Sequence, residues 1–326
     1  MKTLVTGATG FIGRHLVKAL VDRGRDVRCL VRRTSNKTNL EKLGVELVYG
    51  DLLDKESLEK AIKGVSVIHH LAGEVYSWKV KDYYMTNVIG TRNLLESCLC
   101  ENIRKFIYLS TVSVVGPNQS KRLHTENSIC DPITPYGRSK YEAEQLMKRF
   151  FNDYKLPIVI IRPPTVYGPG DQPEVVTNII KMVYKRQFFM LGDGESLRNL
   201  CYIDNLIQGI FLAEENKNSI GKVFFIADDE VYTFNQLLHE VAKEERVELR
   251  KFHLPKFIGN ISGFIFRGLA NYFGISFMPL YALWTMVFDL AFDISNARKE
   301  LGFYPRVSLK EGIKNTVPYY LKKESI

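Results

Sequence analysis

The stretch Thr6–Gly13, TGATGFIG, joins a short apolar run to a segment with helical periodicity. Its glycines, Gly7, Gly10 and Gly13, permit a sharp turn and a close approach of the backbone to a ligand. The N–H groups that begin the following helix would then point at a bound phosphate. We predict a dinucleotide-binding turn, and a ligand-free glycine turn is the alternative. The predicted contact residues are Gly7, Thr9, Gly10, Phe11, Ile12 and Gly13.

Outward from this turn, β-branched runs alternate with amphipathic helical stretches through the first half of the chain. Runs such as DVRCLVR, KFIYLST and PIVIIRP are nearly all apolar, as in parallel strands buried on both faces. The expected fold class is α/β: a Rossmann-type doubly wound parallel sheet with a smaller, mostly helical C-terminal lobe. We assign 1–170 to a dinucleotide-binding domain, to which 201–228 returns, and 171–326 to a substrate-binding lobe.

The composition is that of a folded globular protein, with 45% apolar and 25% charged residues among 326. The net charge of +9 comes from basic residues dispersed along the chain, which does not favour nucleic-acid binding. The five cysteines form no Cys-x-x-Cys pair, so neither a metal site nor a disulfide framework is expected. The first residues, MKTLVTGATG, show no targeting pattern, and we expect a cytoplasmic protein.

The end of the second predicted strand bears on the choice of cofactor. A carboxylate there would bind the ribose hydroxyls of NAD. This chain has Arg32 and Arg33 instead, with no acidic residue between Asp26 and Glu41. Guanidinium groups bind a 2′-phosphate through charge-assisted hydrogen bonds, so we expect NADP(H), with NAD(H) as the alternative. One or both arginines could instead point into solvent.

A phenol and an ammonium occur four residues apart in TPYGRSKYEAE, 134–144, at the predicted start of a helix. Tyr136 and Lys140 are separated by one helical turn, so their side chains can share a face. A free phenol has a pKa of about 10, too high for a base near neutrality, and a nearby cation would lower it. A packed tyrosine beside a solvated lysine is the simpler interpretation of the pair alone.

Taken together, these motifs resemble those of the extended short-chain dehydrogenase/reductase family, within the NAD-dependent epimerase/dehydratase superfamily. The resemblance extends over nearly the whole chain. It implies that Tyr136 is a general acid/base and that Lys140 binds the nicotinamide ribose. The segments that carry it are TGATGFIG (6–13), GDLLD (50–54), HLAG (70–73), TNVIGTRNLL (86–95), LSTVSVVG (109–116), YGRSK (136–140), RPPTVYGPGD (162–171) and LGFYPRVSLKEGI (301–313).

The resemblance also implies the remaining site residues. By alignment to the glycine of VSVVG, the hydroxyl that contacts the substrate oxygen is Thr111, with Ser110 as runner-up and Ser113 less favoured. Asn87 corresponds to an asparagine on the helix beneath the site, where its amide orders a water or the lysine. The implied cofactor contacts are Asp51, Leu52, Leu71, Ala72, Gly73 and Pro163, in addition to Tyr136 and Lys140.

Three features bear on the branch of this family to which the chain belongs. Nucleotide-sugar enzymes typically carry an asparagine three residues after the arginine of RPPTVYG, where this chain has Thr165. A dehydratase would usually have acidic residues beside the catalytic hydroxyl, and STVSVVG has none. Arg198 corresponds to a nucleotide-contacting arginine of many sugar enzymes, although pairing with a carboxylate or surface exposure is equally compatible. We predict substrate contacts at Thr111, Thr165, Val166 and Arg198.

The segment 256–290 is apolar, and Gly268–Phe288 contains no charge. That length suits a membrane span, but Gly268, Gly274 and Pro279 interrupt it. We expect two or three helices with a turn near Pro279 that form a lid over a lipophilic substrate, contact a membrane surface peripherally, or pack as ordinary core. The similarly apolar lobe of steroid-dehydrogenase-like and flavonoid-reductase-like relatives favours a lipophilic substrate.

The expected function is therefore NADP(H)-dependent interconversion of a ketone and a secondary alcohol. This resembles the 3β-hydroxysteroid dehydrogenase and dihydroflavonol reductase branch. The first alternative is a nucleotide-sugar 4-epimerase or dehydratase with tightly bound NAD. The second is a non-catalytic dinucleotide sensor, which the retention of Tyr136 and Lys140 disfavours. A homodimer is common among such relatives, and the sequence leaves the oligomeric state of this chain open.

Overall fold

In the computed structural model, residues 1–117, 122–170, 175–249 and 252–324 are described. Asp171, the last residue of the 162–171 motif and the first of the predicted substrate lobe, lies outside them. Within the described residues the strands are β1 Lys2–Thr6, β2 Asp26–Val31, β3 Glu46–Tyr49, β4 Val67–His70, β5 Lys105–Leu109, β6 Ile158–Arg162, β7 Val166–Tyr167, β8 Phe189–Leu191, β9 Leu197–Arg198, β10 Cys201–Tyr202, β11 Val223–Phe225, β12 Tyr232–Thr233 and β13 Phe252–Leu254.

The central sheet is parallel and, over the described residues, has seven strands in the order β11-β6-β5-β4-β1-β2-β3. Thr6 at the end of β1 pairs with Leu30 on one side and His70 on the other. The strand order reverses between β1 and β4, and ligands of doubly wound sheets bind at such a reversal, beyond the carboxyl ends of the strands. The predicted Rossmann-type fold class is confirmed.

Helices cover both faces of this sheet. Successive strand residues alternate between two apolar clusters: Leu4 and Ile160 belong to one, and Val5 and Ile161 to the other. The described helices are α1 Phe11–Asp22, α2 Thr38–Glu41, α3 Lys55–Ile62, α4 Val80–Tyr84, α5 Thr91–Cys98, α6 Pro135–Tyr154, α7 Val175–Tyr184, α8 Ile203–Glu215, α9 Phe234–Glu245, α10 Lys256–Phe273, α11 Met278–Thr285, α12 Ser295–Leu301 and α13 Leu309–Glu324, together with short 3₁₀ turns at Val112–Val114 and Lys217–Ser219.

The sequence pattern predicts a long helix over 83–101, and residues 80–98 are helical but not regular. A π-helical stretch, Met85–Gly90, separates α4 from α5. Asn87 lies within this stretch, and its side chain bonds to the backbone of Glu74 outside the helix. π-helical segments of this kind are often found at functional sites.

The second half of the chain contributes β11 to the main sheet, where it pairs with β6 in parallel. The domain boundaries and the return of 201–228 to the first domain stay a prediction. The sequence predicts Thr233 as a helix N-cap, and it caps α9 in a reciprocal arrangement with Gln236. The turn expected near Pro279 lies at 274–277: Gly274, with φ +66°, ends α10, and Pro279 lies in the first turn of α11.

Candidate active site

The glycine turn lies at the carboxyl end of β1, where the strand order reverses. Gly7 has φ +71°, and a Cβ there would be only 2.6 Å from the amide nitrogen of Ala72. Gly10 is the N-cap of α1, whose first turn contains no acidic residue. The positive end of the helix dipole is therefore available to an anion, and the turn fits a dinucleotide phosphate. Thr9, Phe11 and Ile12 are partly exposed beside it.

Arg32 and Arg33 follow β2 directly and are exposed at the same edge of the sheet. The Arg33 guanidinium lies 5.4 Å from the centre of the Tyr49 ring, and Lys37 Nζ donates a hydrogen bond of 2.9 Å to the Tyr49 hydroxyl. Burial raises the pKa of the Glu74 carboxyl, and the charge of Arg32 opposes that rise. This edge carries a cluster of cations that fits an anionic group.

Asp51 and Leu52 follow β3 and have different environments. Asp51 is half-buried and accepts a hydrogen bond of 2.9 Å from the Leu53 amide. Leu52 is buried against Gly90, where a Cβ would lie 2.7 Å from the Leu52 Cβ. Leu52 therefore packs beneath the π-helical stretch, and Asp51 lies closer to the surface.

The residues after β4 connect the glycine turn to the catalytic pair. Leu71 and Ala72 adjoin Gly7. Gly73 is exposed, and a Cβ there would be 3.1 Å from Asn87 Oδ1 and 3.9 Å from Lys140 Nζ. A continuous backbone path thus runs from the phosphate turn to Lys140, as a bound dinucleotide requires.

Tyr136 and Lys140 lie on α6, which starts with Thr134 as N-cap and Pro135 in its first turn. Lys140 is 4% exposed; its Nζ donates to the Leu109 carbonyl at 2.7 Å and lies 4.2 Å from the Tyr108 ring centre. Burial lowers the pKa of Lys140 to about 7, although the charge of Glu144 acts in the opposite direction. Such a lysine is sensitive to any charge that forms beside it.

Tyr136 is half-buried next to Tyr83, with 6.2 Å between the ring centres. Tyr83 is itself fixed: its hydroxyl donates to the Ser77 carbonyl at 2.9 Å and lies 3.4 Å from Ser276 Oγ. Tyr136, the predicted general acid/base, is therefore flanked by the buried Tyr83. Tyr83 in turn contacts the C-terminal lobe.

The three candidate hydroxyls after β5 point to different partners. Ser110 is buried and donates to the carboxylate of Glu144 on α6. Thr111 caps the 3₁₀ turn, where its Oγ1 accepts from the Ser113 amide and lies 3.2 Å from Ser113 Oγ. Burial raises the pKa of Tyr281 of α11 to about 12, and the Ser113 hydroxyl lies close enough to oppose that rise. Thr111, Ser113 and Tyr281 thus form one cluster of hydroxyl groups, whereas Ser110 belongs to the hydrogen-bond network of Glu144.

Asn87 holds two segments of the site together. Its Oδ1 accepts from the Glu74 amide at 2.7 Å, and its Nδ2 donates to the Glu74 carbonyl at 3.0 Å and to Ser139 Oγ at 2.9 Å. These contacts join the exit of β4 to the helix that carries Tyr136 and Lys140. The expected contact of Asn87 with a water or the lysine stays a prediction.

The motif after β6 lies against the hydroxyl turn. The Pro163 carbonyl accepts from the Val112 amide at 3.1 Å, next to Thr111. Thr165 is half-buried, its carbonyl accepts from the Cys201 amide, and the buried Val166 pairs with Cys201 across β7 and β10. Pro163 is therefore placed beside the predicted catalytic hydroxyl, and 165–166 leads into the C-terminal lobe.

Arg198 is buried in the C-terminal lobe. Its Nη2 donates to Ser196 Oγ at 2.8 Å and to the Thr285 carbonyl at 3.3 Å, and its guanidinium lies 4.2 Å from the Phe234 ring centre. Burial lowers the pKa of Arg198 to about 10. Among the described residues its Nε has no hydrogen-bond acceptor. Surface exposure, one expectation for this arginine, is wrong.

A cavity of about 400 Å³ lies beside Ser196, and its lining does not include Thr111, Tyr136 or Lys140. Three of its four charged lining residues are acidic. The lining residues are Pro117, Leu191, Gly192, Asp193, Glu195, Ser196, Lys256, Asn260, Trp284, Met286, Val287, Phe288 and Asp289.

Two groups near the site had no clear signal in the sequence. Glu144 and Arg162 form a buried bidentate pair behind Ser110, with Arg162 Nε 2.9 Å from Glu144 Oε1. Glu144 is one helical turn beyond Lys140, which was the available clue. Tyr281 lies in the apolar lobe, where no motif marks it, and only the fold brings it to Ser113.

The parallel sheet and the glycine turn at its strand-order reversal are the features of a dinucleotide-dependent enzyme. A model of the NAD dependent epimerase/dehydratase family matches residues 3–227. The chain belongs to this family and is an enzyme with NAD(P)-dependent oxidoreductase, epimerase or dehydratase activity.

Individual relatives represent more than one of these chemistries. The chain is 30% identical to a 2-alkyl-3-oxoalkanoate reductase of Stenotrophomonas maltophilia, covering 96% of this chain and 98% of the relative. It is 27% identical to the N-acetyl-α-D-glucosaminyl-diphospho-ditrans,octacis-undecaprenol 4-epimerase of Escherichia coli O157:H7, covering 99% and 97%. Its structure is similar to that of UDP-glucuronic acid 4-epimerase from Bacillus cereus in complex with NAD, with a TM-score of 0.81, 28% identity and 99% coverage of both chains.

Proposed function

We propose that the protein is an NADP(H)-dependent oxidoreductase that interconverts a ketone and a secondary alcohol on a lipophilic substrate. The observation that carries this proposal is the contact between Tyr281, on the apolar helix α11, and Ser113 beside Thr111. Apolar helices of the C-terminal lobe therefore adjoin the hydroxyls assigned to the reaction. Such a wall suits a hydrocarbon substrate with a single polar reacting group.

Tyr136 exchanges a proton with the substrate oxygen, and Thr111 donates a hydrogen bond to that oxygen. Lys140, one turn along α6, stabilises the phenolate form of Tyr136 when its ammonium is charged. Asn87 positions this helix through Ser139. The bound nicotinamide supplies or accepts the hydride. The protein groups thus control the proton, the polarity of the oxygen and the exclusion of water.

The cofactor is proposed to be NADP(H). Gly7–Gly13 would hold the pyrophosphate, Leu71–Gly73 would lie along the dinucleotide, and Arg32 and Arg33 would bind the 2′-phosphate. The cation cluster at the end of β2 supports this choice because no carboxylate occupies the position that would bind a free 2′-hydroxyl. NAD is the alternative, and it is the cofactor named for the Bacillus cereus structure.

The acidic side chains of the cavity beside Ser196 also support a substrate that lacks a nucleotide diphosphate. The cavity next to Ser196 is lined by Asp193, Glu195 and Asp289 against a single cation, Lys256. Three carboxylates would oppose a diphosphate, whereas an uncharged hydrocarbon meets no such repulsion. The alkyl chain in the name of the reductase relative agrees with a lipophilic substrate.

A nucleotide-sugar 4-epimerase is the second candidate. The observation that favours it is the buried Nε of Arg198, which has no acceptor among the described residues and could bind a phosphate oxygen. The same Tyr136 and Thr111 would serve that reaction, with NAD retained in the protein. The polar part of the substrate would then occupy the C-terminal lobe.

Ligand-dependent stability separates the two candidates. The melting temperature would be measured with NADPH, NADH, UDP-glucose and a 2-alkyl-3-oxo acid, after checking whether the purified protein retains a dinucleotide. The proposal predicts that NADPH raises the melting temperature most and that UDP-glucose leaves the melting temperature unchanged. Strong stabilisation by UDP-glucose, with NAD retained, would show that the epimerase assignment is correct.

A further inference from the structure

Helix α10 places most of its large apolar side chains in solvent. Its buried face consists of one large residue, Phe266, and four small ones, Gly259, Ser262, Gly263 and Ala270. Its outer face includes Phe264 and Tyr272, which are 72% and 86% exposed. A water-soluble helix normally has the opposite arrangement, so the outer face is unusual for a surface in contact with water alone.

The small buried residues allow α10 to pack tightly against the rest of the lobe. A Cβ on Gly263 would lie 2.3 Å from the Trp284 ring, and one on Gly259 would lie 2.6 Å from the Val287 side chain. α10 could therefore not rotate its large side chains inward without losing this contact. The exposed face is thus a fixed feature of the fold.

The exposed surface continues beyond the end of α10 into the loop before α4. The Ser276 amide donates to the Trp78 carbonyl at 2.9 Å, and the Trp78 ring, 67% exposed, lies 5.3 Å from the Phe277 ring. We call this surface the α10 face. Its exposed apolar members are Val75, Tyr76, Trp78, Phe257, Ile261, Phe264, Ile265, Tyr272, Phe273 and Ile275.

The charged side chains of the segment 249–288 are all basic. The sequence has no Asp or Glu from 249 to 288. Lys256 and Arg267 on α10 and Lys79 beside its end are exposed. A rim of cations around aromatic and aliphatic side chains is complementary to an anionic lipid surface. In a two-fold dimer through this face, the same cations would meet their own copies without an acidic residue from this segment to offset them.

The α10 face also adjoins the catalytic helix. Arg138, two residues after Tyr136, donates to Asn271 Oδ1 of α10 at 2.9 Å. Tyr83, next to Tyr136, lies 3.4 Å from Ser276 just beyond the end of α10. A surface that covered this face would therefore lie close to the mouth of the active site.

We propose that the α10 face docks the enzyme on an anionic membrane surface, so that a lipophilic substrate reaches Tyr136 from the bilayer. The part concerning the substrate rests on the proposed function, and the docking itself does not. Among the described residues, no helix is long and apolar enough to span a bilayer.

The test is flotation of the full chain with vesicles of phosphatidylcholine containing phosphatidylglycerol, and with phosphatidylcholine vesicles alone. The variant Phe257→Gln/Phe264→Gln/Tyr272→Gln removes the apolar anchor, and Tyr154→Gln/Tyr184→Gln/Tyr304→Gln is the matched control at exposed positions elsewhere. Binding to the anionic vesicles is expected to fall at least about 10-fold in the first variant and to be unchanged in the control.

The charged rim is tested separately with Lys79→Gln/Arg267→Gln, which is expected to remove the preference for anionic vesicles. Trp78 gives a direct signal: its fluorescence should shift to the blue on binding and be quenched by brominated lipid, whereas Trp284 is already buried. Turnover of a short water-soluble ketone should be the same in all these variants, which keeps a failure of docking separate from a failure of the proposed reaction.

The proposal is overturned if the unaltered chain does not bind the anionic vesicles, or if both triple variants bind equally well. It is also overturned if the α10 variant converts a dimer into a monomer in sedimentation, because a second copy would then cover this face. Vesicle binding without turnover of any ketone would leave the docking site correct and refute the proposed function alone.

Discussion

At the residue scale, the site depends on the different environments of Tyr136 and Lys140. Tyr136 is half-buried and adjoins the cleft, whereas Lys140 is enclosed between the Tyr108 ring and the Leu109 carbonyl. A lysine with a pKa near 7 keeps or loses its charge according to the groups beside it. The pair is therefore suited to proton transfer near neutral pH.

Replacing the catalytic phenol tests this assignment. Tyr136→Phe should lower kcat by roughly 10²–10⁴-fold and leave cofactor affinity unchanged, because only the exchangeable proton is removed. Tyr154→Phe, the same substitution at an exposed position of α6, should have no effect. Steady-state kinetics with equilibrium binding of NADPH would measure both, and full activity of Tyr136→Phe would disprove the role of this residue.

The depressed pKa of Lys140 also makes stability depend on pH. Its ordinary pKa is 10.5 in the unfolded chain and about 7 in the fold, so between these values the unfolded state binds more protons. The contribution of Lys140 to the free energy of unfolding therefore rises with pH from about 7 to about 10.5.

Lys140→Met should consequently be less destabilising at pH 6.5 than at pH 9.5, by a few kcal/mol, on the order of 1.4 kcal/mol per pH unit within this window. Urea unfolding of the cofactor-free protein at both pH values gives the difference. An effect of Lys140→Met that does not change with pH would contradict a lowered pKa.

The arginines after β2 determine the expected cofactor preference. Arg32→Ala/Arg33→Ala should weaken NADPH binding about 10-fold or more and leave NADH binding nearly unchanged, because only the former has a 2′-phosphate. Arg149→Ala, which removes an exposed cation from α6, is the control. Equal weakening of NADPH and NADH binding would indicate that these arginines do not contact the 2′-phosphate.

At the scale of the elements, the glycine turn joins β1, α1 and the exit of β4. Gly7 and Gly24 both have positive φ, +71° and +68°, but only Gly7 would place a Cβ against another backbone segment. Alanine at Gly24 should therefore cost about 1–2 kcal/mol, from backbone strain alone.

Alanine at Gly7 should cost about 1–3 kcal/mol more and should also abolish cofactor binding, since Ala72 would have to move. Chemical denaturation and NADPH titration measure the two effects. Equal destabilisation of Gly7→Ala and Gly24→Ala would show that the close approach of the turn to Ala72 is unimportant.

Much of the fold and site could be predicted at this scale, because periodicity and glycine spacing are local signals. The parallel sheet and the cap at Thr233 follow from them. The π-helical stretch could not, since it depends on bonds between Asn87 and a distant segment. The contact of Tyr281 with Ser113 and the burial of Arg198 also depend on tertiary packing, which no local pattern records.

At the scale of the whole molecule, the Rossmann sheet supplies the cofactor turn and the catalytic helix, and the C-terminal lobe brings apolar helices to the same place. α10 and α11 pack through Gly259 and Gly263, so the lobe offers a rigid wall. The net charge of +9 favours the approach of anionic cofactors and of anionic surfaces alike. A reductase and an epimerase would share the cofactor turn and the helix that carries Tyr136 and Lys140. They would differ in the substrate that the C-terminal lobe binds.

The most direct measurement of the central claim is oxidation of NADPH in the presence of a lipophilic ketone, with the secondary alcohol quantified as product and UDP-glucose assayed in parallel. The account predicts one alcohol formed for each NADPH consumed, loss of this turnover in Tyr136→Phe, and no conversion of UDP-glucose. Epimerisation of UDP-glucose without net consumption of NADPH, and no alcohol from any ketone, would contradict it.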